Sequence, residues 1–188
     1  NESQTESLSA IISPGISSLN LACFGDNDGE VFLNVTGGTP FPGPHYEYTL
    51  NGVQQSQWTP AFAGLSAGMF EIIVNDANGC LDTVIGLVTQ PTEIQTTLTP
   101  IAVNCFLGND GNVTAFTTGG ASNYTFTWST GFSEVSSANS IISSLSANTY
   151  TVVVTDFNGC QDTASAVVTE PPSAIDLTVS YMNETCRE

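Results

Sequence analysis

Most of this sequence occurs twice, at a spacing of about 80 residues. The segment CFGDNDGEVFLNVTGG at Cys23–Gly38 returns as CFLGNDGNVTAFTTGG at Cys105–Gly120. Likewise, GLSAGMFEIIVNDANGCLDT at Gly64–Thr83 returns as SLSANTYTVVVTDFNGCQDT at Ser144–Thr163. A period of this length suits a small self-contained domain and is too long for a solenoid unit. The sequence therefore predicts two tandem copies of one domain.

The beginning of a third copy follows the second, from Ser173 to Cys186. We predict four parts: an N-terminal extension (1–11) that could serve as an inter-subunit strand, a first repeat (12–91), a second repeat (92–172), and an isolated opening strand (173–188). Proline after each repeat, in QPTE and EPPS, ends the last strand because proline cannot donate to a strand ladder.

The apolar residues alternate with period two, and no stretch keeps a helical period. In the second copy the alternating sets contain Tyr124, Phe126 and Trp128, then Tyr150, Val152 and Val154; the first copy has Tyr46, Tyr48 and Leu50, then Phe70, Ile72 and Val74. Glycine-containing turns separate about seven short strands per copy. This pattern predicts an all-β chain of two tandem immunoglobulin-like β-sandwiches with extra strand segments at its termini.

Two aromatic positions favour the immunoglobulin type. Trp128 falls on the third strand, where such folds carry a core tryptophan, and the spacing from Leu145 to Tyr150 is that of a tyrosine corner. The first copy has Phe70 in place of the tyrosine, so the hydrogen bond of that corner is not available there.

The charge balance excludes several classes of partner. The chain has one basic residue, Arg187, against 18 acidic residues, for a formal net charge of −17. Binding to nucleic acid or to anionic lipid needs a basic surface, which this composition cannot supply. No stretch approaches the ~20 apolar residues of a membrane span, so membrane insertion is not expected. The first ten residues lack the basic start of a signal peptide.

Five cysteines occupy equivalent places in the repeats: Cys23, Cys80, Cys105, Cys160 and Cys186. The simplest pairing lies within each copy, Cys23 with Cys80 and Cys105 with Cys160, and leaves Cys186 over. Such bridges indicate an oxidising compartment. The alternative is that these are free buried thiols of a cytosolic protein.

The order of these motifs resembles the SprB-type repeat. The shared motifs are C-F-x-x-N-D-G, a G-G turn, L-S-A with Phe or Tyr three positions after the alanine, and V-x-D-x-N-G-C. Such repeats occur in very large surface adhesins and gliding-associated proteins of Bacteroidota. The resemblance implies tandem extracellular β-sandwiches at the cell surface with an adhesive or structural role.

A second resemblance concerns modification. The tripeptides that begin at Asp82 and Asp162 resemble the O-glycosylation acceptor of the same phylum, which would make Thr83 and Thr163 glycosylated. The alternative is that both tripeptides simply reflect duplication of the repeat.

Acidic and amide side chains gather near the cysteines of both copies. If Cys23 joins Cys80, both acidic loops converge at one end of the sandwich and offer the oxygen ligands that Ca²⁺ prefers. The candidate ligands are Asp28, Asp76, Asn78 and Asp82, with Asp110, Asp156, Asn158 and Asp162 in the second copy. The alternative is ordinary turn chemistry, since Asp and Asn beside glycine commonly stabilise turns.

The sequence does not favour an enzyme. The single histidine, His45, follows a Pro-Gly-Pro turn without a counterpart in the second copy, which is typical of a solvated loop residue. A nucleophilic serine would lack a base. A carbohydrate-binding adhesin module is the main rival to a structural role, because a tryptophan such as Trp58 can stack on a sugar of a surface glycan or equally cap the sandwich.

The surplus segment alternates in the same way as a strand, with Ile175, Leu177, Val179 and Tyr181 on one face. An unpaired amphipathic strand can add to the sheet edge of a neighbour, and repeated head-to-tail contacts of this kind build a filament. The alternative is that the strand belongs to a third domain of a longer array. In both cases the expected role is that of a subunit in a surface filament or adhesin stalk.

Overall fold

The computed structural model describes residues 11–43, 45–55 and 59–181. The first repeat contains seven strands: β1 Ser13–Leu19, β2 Gly29–Thr36, β3 Glu47–Leu50, β4 Val53–Gln54, β5 Ala61–Leu65, β6 Gly68–Asn75 and β7 Leu81–Val88. The second repeat contains seven more: β8 Gln95–Ile101, β9 Gly111–Thr118, β10 Tyr124–Trp128, β11 Ser133–Ser136, β12 Asn139–Leu145, β13 Asn148–Thr155 and β14 Gln161–Val168. Within the described ranges each repeat thus has seven strands, as the sequence predicted.

Each repeat forms a sandwich of a three-stranded and a four-stranded sheet. In the first repeat the sheet orders are β1-β2-β5 and β4-β3-β6-β7, and in the second they are β8-β9-β12 and β11-β10-β13-β14. All pairings within these sheets are antiparallel. Each three-stranded sheet pairs the first, second and fifth strands of its repeat, while the third and sixth lie in the opposite sheet. This is an immunoglobulin-like topology, so the predicted fold class is confirmed.

The two cores form from the inward faces of the strands. The first core contains Ile12, Leu21, Val31, Leu33, Tyr48, Phe62, Leu65, Phe70, Ile72, Val74 and Val88. The second contains Val103, Val113, Ala115, Tyr124, Phe126, Trp128, Ile142, Leu145, Tyr150, Val152, Val154 and Val168. Tyr46 and Leu50 are partly buried and pack against the first core. The alternation read from the sequence therefore identifies the buried faces correctly, because in a strand every second side chain points to the same side.

The two aromatic predictions are confirmed. Trp128 is buried, and its indole Nε1 donates a 2.9 Å hydrogen bond to the Ser140 hydroxyl. The Tyr150 hydroxyl donates to the Ser146 carbonyl at 3.0 Å, which is a tyrosine corner. Phe70 occupies the equivalent buried place in the first repeat and has no hydroxyl.

By contact density the chain divides into two compact units. The first ends at Ile94 and also includes Gly119–Ala121 and Asn158–Cys160, and the second comprises the remainder. The predicted boundaries of the repeats, after residues 11, 91 and 172, stay predictions. Within the described ranges, no helix is long and apolar enough to cross a membrane.

Candidate functional site: the cysteine-bearing loops

The loop between β1 and β2 carries Cys23 and lies where strand β7 ends. The Leu21 amide donates to the Thr89 carbonyl at 3.0 Å, and the Gly25 amide donates to Oε1 of Gln90 at 2.9 Å. Within the loop, the Asp26 amide donates to the Cys23 carbonyl. These bonds fix Cys23 beside the last residues of β7.

The turn that carries Cys80 lies at the other end of β7. Cys80 immediately precedes Leu81, the first residue of that strand. Eight residues of β-strand span about 25 Å, whereas the Cα atoms of a disulfide are about 4.4–6.8 Å apart. A bond between Cys23 and Cys80 within one repeat is therefore geometrically excluded, and the predicted pairing is wrong.

The structure joins Cys23 to Cys160 instead, with a Cα–Cα distance of 5.7 Å and a sequence separation of 137. The Asn158 side chain donates from Nδ2 to the Ala22 carbonyl at 3.0 Å, and Cys160 Sγ lies 3.4 Å from the same oxygen. The turn Asn158–Cys160 thus packs on the loop of Cys23 within the first unit. The disulfide links a cysteine of the first sequence repeat to one of the second.

The predicted Cys105–Cys160 pairing is wrong for the same reason. Val103 donates its amide to the Thr169 carbonyl at 3.0 Å, which places the Cys105 loop where β14 ends, while Cys160 precedes β14. Cys80 and Cys105 are exposed free thiols. Cys186 lies outside the described residues.

The Asp76 carboxylate organises the turn of Cys80. It is buried, with Oδ2 accepting from the Thr39 amide at 2.9 Å and Oδ1 accepting from the amides of Asn78 and Cys80 at 2.9 and 2.8 Å. The hydrogen bond from Thr39, supported by those from Cys80 and Asn78, lowers the pKa of Asp76 below its ordinary value. Both carboxylate oxygens accept hydrogen bonds from backbone amides. This is the turn chemistry given in the sequence analysis as the alternative to Ca²⁺ binding.

The predicted convergence of the acidic loops does not occur. Asp28 precedes β2 near the Cys23 end of the sandwich, whereas Asp76, Asn78 and Asp82 surround the opposite end of β7. In the second repeat, Asp110 likewise lies near the Cys105 end, and Asp156, Asn158 and Asp162 surround the start of β14. Among the described residues, no three His, Cys, Asp or Glu side chains form a group suited to a metal ion. Binding of Ca²⁺ stays a prediction, which the melting temperature in Ca²⁺ and in EDTA tests.

Two of these carboxylates have local partners. Asn104 donates to Asp110 from its amide at 3.1 Å and also from its side chain, and the side-chain bond contributes most to lowering the pKa of Asp110. The Thr96 amide donates to Oδ2 of Asp162 at 2.7 Å. Both interactions connect neighbouring segments of the second repeat.

His45 differs from the solvated loop residue expected. Its ring is half-buried and stacks on Phe41, with the centroids 5.6 Å apart. The Phe41 amide also donates to the His45 carbonyl at 2.8 Å, which closes the turn between them.

In the second repeat, a surface pocket of about 420 Å³ lies beside β12 and is lined by hydroxyl and apolar side chains such as Thr130, Phe132 and Ile141.

The remaining predicted site residues are the two threonines, the residues of the surplus segment and Trp58. Thr83 and Thr163 are exposed on β7 and β14, so their hydroxyls are accessible, and their glycosylation stays a prediction. Ile175, Leu177, Val179 and Tyr181 are 71–99% exposed, and within the described ranges residues 175–181 pair with no strand. Trp58 lies outside the described residues, so the predicted sugar contact stays a prediction.

The comparisons with known proteins give one family match and several distant likenesses of fold. The family model described as the SprB repeat matches residues 16–55 and 97–132. No curated protein matches the chain.

Three solved structures illustrate the likeness of fold. A Dscam structure is 16% identical, with a TM-score of 0.35 over 87% of this chain and 47% of that one. The ectodomain of mouse nectin-like molecule 4, Ig1–Ig3, is 13% identical, with a TM-score of 0.40 over 89% and 67%. The fibronectin(III)-like modules of Clostridium thermocellum CbhA are 14% identical, with a TM-score of 0.31 over 89% and 100%. The chain spans about half the length of the Dscam structure. One segment in each copy of the sequence repeat is therefore similar to the SprB repeat, as the motifs predicted.

Proposed function

We propose that this chain is a non-enzymatic structural and adhesive segment of an extracellular, cell-surface array, in which copies join head to tail by strand addition. Three features support an extracellular role: the SprB-type repeats, the immunoglobulin-like sandwiches and the disulfide between Cys23 and Cys160. Disulfides persist in oxidising compartments, where small domains also gain most from them.

The observation that carries the joining mechanism is the exposed segment 175–181. Its apolar residues alternate, as in β8, and their exposed fractions are 99% for Ile175, 81% for Leu177, 71% for Val179 and 86% for Tyr181. Leaving such a face in water is unfavourable by roughly 1.5–3 kcal/mol for each large side chain relative to full burial. Addition to a neighbouring sheet would bury one face and pair the backbone groups.

The first repeat offers an edge that suits this partner. Strand β7 lies at the edge of its four-stranded sheet, and its outward residues Ile85 and Leu87 are 53% and 55% exposed. Exposed apolar side chains on an edge strand favour contact with another strand. A contact between this edge and the segment 175–181 of another copy is heterologous and leaves both ends open for further copies.

Sedimentation velocity at increasing concentration tests the proposal. We expect the chain to form concentration-dependent oligomers and expect the double substitution Leu177→Asp/Val179→Asp to abolish them. The matched control is Thr178→Asp/Ser180→Asp, which adds the same charge to the alternate positions of the segment. A chain that stays monomeric at millimolar concentration, or equal loss in both double variants, would contradict strand addition.

Glycosylation of Thr83 and Thr163 would fit the same surface role. Both hydroxyls lie on exposed positions of the last strand of their repeats. Intact-mass measurement of native material, with Thr83→Ala and Thr163→Ala as controls, tests this part of the proposal.

A further inference from the structure

The disulfide between Cys23 and Cys160 uses two of the four cysteines in the two complete repeats. Cys105 is the repeat equivalent of Cys23, and Cys80 is the repeat equivalent of Cys160. Both equivalents are exposed thiols. The observed bond runs from the first cysteine of one repeat to the second cysteine of the following repeat. The same connection, continued to another copy, would join Cys105 to Cys80.

The loop around Cys105 is built in the same way as the loop around Cys23. Val103 and Leu21 each donate to the backbone just after the last strand, at 3.0 Å in both repeats. The Leu107 amide donates to Oε2 of Glu170 at 2.7 Å, as Gly25 does to Gln90. The Gly108 amide donates to the Cys105 carbonyl at 2.9 Å. The acceptor loop is therefore formed before any partner binds.

The surface beside Cys105 has room for a partner. A pocket of about 270 Å³ adjoins the thiol and is lined largely by apolar groups, among them Phe106, Pro171 and Ile175. At the equivalent loop of the first repeat, the turn Asn158–Cys160 packs beside Cys23 and donates to the Ala22 carbonyl. Asn104 is the equivalent of Ala22, so its carbonyl is the corresponding acceptor.

The turn that would pack beside Cys105 is Asn78–Cys80 of another copy. It has the same Asn-Gly-Cys sequence as the turn at Cys160, and the buried Asp76 carboxylate holds the Cys80 amide at 2.8 Å. The Asn78 side chain donates to the Thr39 hydroxyl at 2.9 Å in an exposed bond, which water can replace at small cost. The donor turn is thus also preformed.

We propose that Cys105 of one copy and Cys80 of the next form a disulfide, so that adjacent copies are covalently linked. The inference rests on the proposed function insofar as it needs an oxidising exterior and neighbouring copies, but it does not require strand addition. Each added copy presents a new free Cys105, so the connection is heterologous and does not close.

The oxidant is a small disulfide such as glutathione disulfide, or the disulfide of an oxidoreductase. The Cys105 thiolate attacks glutathione disulfide, forms a mixed disulfide and releases one glutathione thiolate. The Cys80 thiolate of the second copy then attacks the Cys105 sulfur and releases the second glutathione. The two protein thiols lose two protons and two electrons, and one glutathione disulfide becomes two glutathione molecules.

The test uses the full chain with Cys186→Ser, so that this thiol does not compete. Two variants, Cys80→Ser and Cys105→Ser, are incubated in a glutathione redox buffer, separately and as an equimolar mixture. We expect each variant alone to stay monomeric on non-reducing electrophoresis, the mixture to give a dimer, and the parent with both thiols to give a ladder. Trypsin is unsuitable for mapping because the chain has no lysine and one arginine, so Glu-C digestion should identify the Cys105–Cys80 peptide.

Three outcomes would overturn the proposal: dimers of each variant alone at the yield of the mixture, a mixture that stays monomeric, or a parent chain with Cys80 and Cys105 bonded within one molecule. Adding Leu177→Asp/Val179→Asp to both variants separates the two proposals. If strand addition is wrong, the parent forms no non-covalent oligomers in sedimentation while the covalent dimer still forms. If the disulfide is wrong, the covalent dimer is absent whether or not non-covalent oligomers form.

Discussion

Trp128 donates its indole N–H to the hydroxyl of Ser140 across the core of the second sandwich. Both side chains are 2% exposed. The first repeat has Leu50 at the place of the tryptophan and Pro60 at the place of the serine. Donor and acceptor are therefore present together in one repeat and absent together from the other, as expected when a buried N–H requires a partner.

We expect Ser140→Ala to destabilise the second repeat by about 1–3 kcal/mol, because it leaves the buried indole N–H without its acceptor. Urea unfolding, followed by far-UV circular dichroism so that the signal does not depend on Trp128, measures the change. Ser143→Ala on the exposed side of β12 is the control and should change little. In the Trp128→Phe background the effect of Ser140→Ala should shrink, and an unchanged effect would show that the hydrogen bond is not its cause.

The tyrosine corner makes a second prediction. Tyr150→Phe removes the bond to the Ser146 carbonyl while keeping the ring, so we expect a loss of about 0.5–1.5 kcal/mol in the free energy of unfolding. The loss should be moderate because Phe70 fills the equivalent place in the first repeat. Tyr181→Phe, whose hydroxyl is on an exposed residue, is the control. Equal midpoints for Tyr150→Phe and the parent would contradict the assignment.

The sequence predicts the strands and cores well because each sandwich buries one face of every central strand. Alternation around Phe126 and Val152 reports directly which side chains face inward. The repeated motif likewise identifies the two sandwiches, since each must fold around its own apolar residues. These features are local in sequence, and local patterns suffice to find them.

The disulfide and the acidic site depend on which end of the sandwich each loop occupies, and local pattern does not report this. In these antiparallel sandwiches consecutive strands run in opposite directions, so successive loops alternate between the two ends. Cys23 follows the first strand and Cys80 follows the sixth, which places them at opposite ends. Counting the seven predicted strands could have excluded the pairing within a repeat. The partner of Cys23 depends on tertiary contacts of the turn Asn158–Cys160, for which alternation carries no signal.

Asp76 gives a prediction on pH. Its pKa is lower in the folded protein than the value of about 3.9 expected for the unfolded chain, so the ionised form favours folding. Its stabilising contribution is complete above about pH 5 and is lost as the pH falls through the folded pKa, below about pH 4. We therefore expect Asp76→Asn to lower the melting temperature at pH 7 and to differ less from the parent at pH 3.

The control for this experiment is Asp26→Asn, which removes the same charge from an exposed loop position. It should follow the pH profile of the parent. If Asp76→Asn stays as far below the parent at pH 3 as at pH 7, its effect is steric and the hydrogen-bonded carboxylate is not the cause.

Each N-D-G motif ends in a glycine because the surrounding atoms leave no room for a Cβ. A Cβ on Gly29 would lie 2.6 Å from Val88 Cγ1 and 2.7 Å from the Leu65 carbonyl oxygen, and on Gly111 it would meet Val168 and Leu145 at 2.7 and 2.9 Å. The backbone oxygen cannot rotate away, so the strands must separate.

We expect Gly29→Ala and Gly111→Ala each to destabilise the chain by about 1–3 kcal/mol, the typical cost of forcing an added methyl into a packed core. Gly15→Ala on β1 is the matched control, because its Cβ would meet Asn34 at an ordinary 3.6 Å. Replacing that strand glycine should leave stability unchanged or raise it by up to about 1 kcal/mol. Urea midpoints measure all three variants, and tolerance of alanine at Gly29 would mean that β2 and β5 can separate there without loss.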